Sequence, residues 1–524
     1  MMGMSSPRVS VITAVYDPPR DAFEATVASV LAQTNEDWEW ILTDDRSPSD
    51  WVVPRLRELA AQEPRVRVRV REENGGIVAA SNDSLAEASG EFVALLDHDD
   101  VLERQALERM LQAIDGTREP DEVDYVYSDQ DWMTADGRCH RPFRKPDWSP
   151  ERLRHHMYTT HFSMLRRSLV LDVGGFRAGF DGSQDHDLVL RVTEQARQIV
   201  HVREVLYHWR QIPGSAAADP HAKPYAWDAG VRAVQDHLDR VGIEAVALHG
   251  LAPGFYQIDR TPDLTTPVSV IIPTIGSQAT VWGSRRTLVV QAVSSLLEKT
   301  QHENLEFVVV YDTPTPPTVI HELRSIPGAR LRFVEFTEEF NFSAKCNVGA
   351  LHASGDVFVF LNDDMEAESD GLIETLITPL NEPGVGATGA KLLFEDGRIQ
   401  HAGVIYGDGQ IGHHYYRSHR KRGSYCELAM NREVSALTGA CLAMRRETFQ
   451  EVGGFTEKLP GNFNDVDMCL KIRAQGHRLI WMHDAVLHHF ESATREASIK
   501  PFELRHMTRR WGDHESVRDA YTSS

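Results

Sequence analysis

The chain repeats itself, and the repeat limits the folds open to it. "VSVITAVYD" from Val9 and "VSVIIPTIG" from Val268 are apolar runs closed by a breaker, the pattern of a buried parallel strand. A helical segment follows each, "FEATVASVLAQT" and "LVVQAVSSLLEKT". "WEWILTDD" and "LEFVVVYD" come next, then "NDSLAEASGEFVALLDHDD" and "NVGALHASGDVFVFLNDD". Asn82 lies 15 residues before Asp97, and Asn347 lies 15 residues before Asn362. Later, "VGGFRAGFDGSQDHDLVLRV" pairs with "VGGFTEKLPGNFNDVDMCLKI". The steps from Asp185 to Asp465 and from His208 to His488 are both 280 residues. An offset this constant marks two copies of one domain.

Alternating strand and helix signals predict an α/β fold with a mostly parallel sheet in each copy. At 524 residues the chain is also too long for one core. The join falls in "LHGLAPGFYQIDRTPDLTTP", which reads as a linker. The expected domains are 1–262 and 263–524, the second closed by a helical tail around "ELRHMTRRWGDH" that braces it.

In open α/β sheets ligands bind outside the carboxyl ends of the strands. Asp17, Asp44, Asp45, Asp97, Asp99 and Asp100 all follow predicted strands, so they gather along one edge. The net charge of −22 argues against nucleic-acid binding. It also means that an anionic substrate needs a local cation, and Mg2+ or Mn2+ suits carboxylates plus phosphate oxygens. Asp185 and Asp187, with their counterparts Asp465 and Asp467, precede a helix in each copy. Asp187 and Asp467 fit an N-cap role; Asp185 and Asp465 fit a general base that takes a proton from an attacking hydroxyl. His208 and His488 end apolar stretches at matched positions and are candidate metal ligands, with His489 an alternative to His488.

Five scattered cysteines show no metal-ligand spacing and suit a reducing compartment. "MMGMSSPRVS" is not a signal peptide, and no stretch approaches a membrane span. A cytoplasmic protein is expected, and the basic segment "HRKRGSYC" is compatible with peripheral contact at the inner face of the cell membrane. Trp132, Trp148, Tyr158 and Trp209, and Tyr415 and Tyr416 in the second half, are candidates for stacking on sugar rings.

The ordered set of opening strand, "TDDRS", "LLDHDD", "GGF" and "SQDHD" resembles a family 2 glycosyltransferase of the GT-A fold, present twice. "YSDQD", "KPDWSPERL" and "VLYHWRQIPGS", then "FNFSAKCN", "QHAGVIYG", "SALTGACLAMRR" and "HHFESATR", are similar to the two halves of bacterial O-antigen and cell-surface polysaccharide glycosyltransferases. The resemblance runs from Val9 to Arg495. It implies two tandem nucleotide-diphospho-sugar transferase domains, Rossmann-like, each with a mostly parallel central sheet. Asp44 or Asp45 would contact the nucleotide base, with Asp17 nearby. Asp97 and Asp99 would form the DxD pair, with Asp99 the principal metal ligand, and His208 would complete the metal site. Asp185 would deprotonate the acceptor, and direct displacement would invert the anomeric carbon.

In the second half Asp312 would contact the base, Asn362 and Asp363 would face the nucleotide sugar, Asp364 and His488 would hold the metal, and Asp465 would be the base. Asn362 stands where the first half has Asp97, so that site carries less negative charge. The implied partners are a UDP-, dTDP- or GDP-sugar and a glycan or lipid-linked glycan acceptor. An alternative is one catalytic half beside a non-catalytic glycan-binding half. A sugar nucleotidyltransferase would need a Gly-rich, basic triphosphate loop near the N-terminus, and "TAVYDPPRDAF" is not one.

Overall fold

The computed structural model describes residues 6–212, 224–420, 423–490, 499–513 and 518–522. The start of "MMGMSSPRVS", the end of "VLYHWRQIPGS", Lys421 and Arg422 of the basic segment, and the last five residues of "HHFESATR" lie outside the described residues. The chain divides into two units: the first runs to Asp259, and the second begins at Arg260 and also takes in Pro150–Arg152.

The first unit is one sheet of β1 (Val9–Val15), β2 (Trp38–Asp44), β3 (Val66–Val70), β4 (Phe92–Leu95), β5 (Val101–Leu102), β6 (Val123–Met133), β7 (Cys139–Phe143), β8 (Ser163–Arg166) and β9 (Gln198–Arg210). The order is β3-β2-β1-β4-β8-β6-β9-β5, with β7 beside β6. β1 runs parallel to β2 and β4, β2 to β3, and β6 to β9, while β8 and β5 run against their neighbours. The helices that position the site are α1 (Arg20–Leu31), α2 (Gly76–Glu87) and α3 (Gln184–Thr193).

The second unit repeats the plan with β10 (Val268–Thr274), β11 (Leu305–Asp312), β12 (Leu331–Phe336), β13 (Val357–Leu361), β14 (Met365–Ala367), β15 (Val385–Leu393), β16 (Cys441–Arg445) and β17 (Arg478–His489). Their order is β12-β11-β10-β13-β16-β15-β17-β14, the same as in the first unit. α4 (Leu288–Lys299), α5 (Phe342–His352) and α6 (Asn464–Ala474) take the places of α1, α2 and α3. A hairpin of Gln278–Val281 and Ser284–Thr287, with no counterpart between β1 and α1 among the described residues, sits between β10 and α4. Both units are thus α/β, as the alternating signals predict. No helix among the described residues is long and apolar enough to cross a membrane.

The polar residue in each first strand has a structural task. Ser10 Oγ donates to Glu39 Oε1 at 2.7 Å, Ser89 N and Oγ donate to the same oxygen at 2.7 Å, and Gly90 N donates to Ser10 Oγ at 2.8 Å. The buried carboxylate therefore joins β1, β2 and the turn into β4. Burial pushes Glu39 up, but these hydrogen bonds outweigh it and hold its pKa below the ordinary value. Ser269, Glu306, Ser354 and Gly355 reproduce the arrangement in the second unit.

The GGF turns are clamped in the same reciprocal way. Asn82 Nδ2 donates to Phe176 O at 2.8 Å, and Phe176 N donates to Asn82 Oδ1 at 2.9 Å. Asn347 and Phe455 make the same pair of bonds at 2.9 and 2.8 Å. Gly175 and Gly454 have φ of 66° and 68°, and a Cβ there would fall 2.7 and 2.8 Å from the clamping amide oxygen. Only glycine fits both the left-handed backbone and the close approach.

Asp187 and Asp467 are not N-caps, because Ser183 and Phe463 occupy those positions and the acids lie within the first turn. Asp187 is fully buried and accepts from Arg191 Nε and Nη2 at 3.0 and 2.6 Å, and from Arg177. Arg191 in turn donates to Val173 O and Gly175 O, both at 2.7 Å, which ties α3 to the GGF turn. Asp467 accepts from Thr456 Oγ1 at 2.6 Å and from Trp511 Nε1 at 2.9 Å. Trp511 ends the tail helix Pro501–Trp511, so the tail braces the second unit through Asp467. Asp187→Ala leaves the Arg191 guanidinium buried without its carboxylate. We predict a loss of about 3–5 kcal/mol in urea unfolding of the first unit. A change within about 0.5 kcal/mol, as for an ordinary surface substitution, would contradict this role.

Candidate active sites

Along the carboxyl edge of the first sheet the acids divide into structural and available groups. Asp45 uses both oxygens: it accepts from Gly75 N at 2.8 Å and Gly76 N at 2.7 Å and lies 3.1 Å from Arg71 Nε. It therefore holds the turn that starts α2. Asp44, also buried, accepts only weakly from Ser47 N, at 3.3 Å to each oxygen. Of the two, Asp44 is less engaged. Asp17 is exposed, with φ of 45°, and its N–H donates to Ser47 Oγ at 2.9 Å. Asp100 is a brace: it accepts from Tyr207 OH at 2.5 Å and Arg210 N at 2.7 Å. Burial and the charges of Asp99 and Asp97 push its carboxyl well above the usual range.

Asp97 and Asp185 line one pocket with Ile77, His161, Phe176 and Gln184. Asp185 stands in the first turn of α3, and burial together with the charge of Asp97 pushes it up to about 7. Ligand atoms of Asp97, Asp100 and His161 lie within 4.8 Å of one another. Burial and the charge of Lys145 lower His161 to about 3, so its imidazole is neutral at physiological pH. Lys145 is itself buried and donates to Thr159 O at 3.1 Å and His161 O at 2.5 Å, which holds the His161 segment in place.

The structure does not bring His208 to this pocket. Residues alternate across a strand, so Tyr207 and Trp209 of β9 turn one way and His208 the other. Tyr207 and Trp209 pack on His161, with ring centroids 4.9 and 5.4 Å away. His208 instead places Nδ1 2.7 Å from Asp131 Oδ1 and, among the described residues, makes no ion pair with Asp99. His208 is expected as the ligand beside Asp99; in the structure its partners are Asp131, Cys139 and Glu103.

The same alternation separates His488 from His489 in the second unit. His489 Nε2 lies 3.1 Å from Asp364 Oδ1 and 3.3 Å from Asn362 Nδ2, and its Nδ1 is 2.6 Å from Gln400 Oε1. His488 pairs with Glu368 at 2.8 Å and packs edge-on against Trp282 at 5.0 Å. His489, not His488, therefore meets Asp364. Burial pushes Asp364 up, but the charge and hydrogen bond of His489 outweigh it and hold it below the usual value. Burial and the charge of Asp364 push Asp363 up to about 6, and Asp363 accepts from Thr274 Oγ1 at 2.6 Å.

Asp312 lies at the end of β11, where Lys345 Nζ donates to it at 3.0 Å and to Thr274 O at 3.1 Å. The "LTGAC" segment links Asp465 to the end of β13: Gly439 N donates to Asp465 Oδ2 at 3.0 Å, and Asn362 N donates to Ala440 O at 3.0 Å. Of the aromatic candidates, Tyr158 is fully buried and its hydroxyl accepts from Ser149 N at 2.8 Å, so it is core and not a sugar platform. Tyr416 is 44% exposed.

Residues 10–174 and 269–453 each match the sequence model of Glycosyl transferase family 2, one match in each unit. The chain belongs to glycosyl transferase family 2. The Sinorhizobium fredii protein named "Uncharacterized protein y4gI" is 39% identical over 533 residues, covering 99% of this chain and 57% of that protein. O-antigen biosynthesis protein RfbC of Myxococcus xanthus is 36% identical over 499 residues, covering 94% of this chain and 38% of RfbC. The chain thus spans about half or less of the length of these relatives. S. aureus TarS 1-349 in complex with UDP-GlcNAc is 18% identical, with 44% of this chain and 66% of that one covered and a TM-score of 0.36.

Lys145, His161, Thr274 and Lys345 contact the candidate-site acids or their segments and are not revealed by the strand-end pattern. Lys345 alone leaves a trace, as a cation inside the otherwise uncharged "FNFSAKCN". The pocket itself makes a prediction. A carboxyl NMR titration should find Asp185 ionising near 7. Asp97→Asn removes the neighbouring negative charge, so the value should fall towards the ordinary carboxylate range. An Asp185 that already titrates at about 4 in the parent chain, the unperturbed value, would contradict the geometry.

Proposed function

We propose that each unit transfers a sugar from a nucleotide-diphosphate donor to a glycan hydroxyl, and that the two together serve bacterial surface-polysaccharide synthesis. The observation that carries this reading is the shared pocket of Asp97 and Asp185, with Asp185 poised near 7. A base near the operating pH is ionised often enough to act and still basic enough to take a proton. The acceptor hydroxyl gives its proton to Asp185 as its oxygen attacks the anomeric carbon. The bond from that carbon to the diphosphate oxygen breaks, and its electron pair leaves with the nucleoside diphosphate. A single displacement of this kind inverts the anomeric centre. The O-antigen name of RfbC, 36% identical across 94% of this chain, supports the polysaccharide setting.

The donor set suits a hard divalent cation. Asp97 and Asp99 offer carboxylate oxygens at the end of a buried strand, and Asp364 is buried with its Oδ1 3.1 Å from His489 Nε2. Such oxygens fit Mg2+ or Mn2+. When bound, the ion offsets the negative charge that develops on the departing diphosphate. Asp44 and Asp312 stand at matched strand ends for contact with the nucleotide base, with Asp17 beside the first and Lys345 fixing the second. In the second unit Asp465 takes the place of Asp185, and His489 that of the metal-ligating histidine. A lipid-linked acceptor would bring the protein to a membrane surface. Arg420 of the basic segment already pairs with Glu368 at 2.6 Å.

A second reading, with one catalytic unit and one glycan-binding unit, is favoured by the uncharged Asn362 in place of Asp97. Asp185→Asn and Asp465→Asn, assayed separately against UDP-, dTDP- and GDP-sugars with Mn2+ and with chelator, decide between them. We expect each substitution to lower one transfer by about 10²–10⁴-fold and chelator to abolish both. An Asp465→Asn chain that keeps every transfer selects the second reading. If neither substitution matters, the proposed bases are wrong.

A further inference from the structure

His208 lies outside the pocket of Asp97 and Asp185, among side chains that do not line it. Asp131 on β6 and His208 on β9 are direct register partners, and Met133, two residues on along the same face of β6, is paired with Cys139 at the start of β7. Three strands therefore aim a carboxylate, an imidazole and a thiol at one point. His208 Nδ1 lies 2.7 Å from Asp131 Oδ1 and 3.3 Å from Cys139 Sγ, and all three ligand atoms lie within 4.8 Å of one another. On the far side of the ring, His208 Nε2 is 3.4 Å from Glu103 Oε2. The His208 and Asp131 side chains are largely buried, at 13% and 11% exposure, while Cys139 is open to solvent.

We propose that Asp131, Cys139 and His208 form a binding site for a soft-to-borderline divalent cation, with Zn2+ the best fit. One sulfur, one nitrogen and one carboxylate oxygen are a zinc donor set, and three protein ligands leave a fourth position for water. Tetrahedral coordination at ordinary zinc bond lengths needs the nitrogen about 3.3 Å from the oxygen and about 3.6 Å from the sulfur. The side chains reach this by opening about 0.6 Å between nitrogen and oxygen and about 0.3 Å between nitrogen and sulfur. With Nδ1 on the metal, the ring proton is on Nε2 and faces Glu103, the carboxylate partner that orients a metal-bound histidine. The Cys139 thiol loses its proton to solvent as the sulfur–metal bond forms. The donors here differ in kind from Asp97 and Asp99, whose oxygen-only set suits a harder ion, so the site stands or falls independently of the transfer reaction.

Cobalt is the probe, because a thiolate bound to Co2+ gives a charge-transfer absorption and tetrahedral Co2+ gives strong visible bands. Co2+ titrated into the metal-free full chain should produce both, and Zn2+ should displace it. Cys139→Ser and Asp131→Asn should remove or weaken the signal, while Asp99→Asn and Asp364→Asn should leave it. Glu103→Gln, which keeps all three ligands, should lower Zn2+ affinity by about 10–100-fold. No thiolate–cobalt absorption in the parent chain would overturn the proposal. So would absorption that survives Cys139→Ser, since it would belong to another cysteine.

Discussion

One side-chain amide in each unit makes the site possible. Asn82 reaches across a sequence separation of 94 residues to close two hydrogen bonds on Phe176, and Asn347 does the same for Phe455. That clamp ties the turn that precedes Asp185 or Asp465 to α2 or α5. The clamp also explains why the turn is Gly-Gly-Phe, since the second glycine must take a positive φ directly against the amide oxygen. Asp187 then fixes the helix behind the turn through Arg191, and Asp467 does so through Thr456 and the tail tryptophan. Asp185 and Asp465 are thus held by their neighbours on both sides, as the proposed positioning of an attacking oxygen would require.

The edge concentrates negative charge, and the two units offset it differently. The first keeps Asp97, Asp99 and Asp100 together, takes Asp100 out of play by burial and two hydrogen bonds, and leaves Asp185 raised by burial and by the charge of Asp97. The second substitutes Asn362, brings His489 onto Asp364, and adds Lys345 against Asp312. A site with fewer negative charges and two nearby cationic or protonatable groups asks less of a bound metal. The two units therefore differ in electrostatics while sharing one fold.

Much of this was legible in the chain. The constant offset predicts a duplicated α/β unit, and the apolar runs that end in acids locate the sheet edges. What could not be read is direction. His208 and His488 hold matched positions and both end apolar stretches, yet His208 pairs with Asp131 and His488 with Glu368. A one-residue step along a strand reverses the face, so the adjacent His489 meets Asp364. Asp187 and Asp467 have the composition of caps, and only the partners across the fold show that they are buried anchors. His161, Lys145 and Cys139 act through contacts distant in sequence, and no local spacing announces them.

The central claim is that each unit carries a donor site of its own. Equilibrium dialysis of UDP, dTDP and GDP against the full chain with Mn2+ counts those sites directly. The account predicts two nucleoside diphosphates bound per chain, one lost on Asp99→Asn and the other on Asp364→Asn. A single bound nucleotide in the parent chain, or two that survive both substitutions, would contradict it.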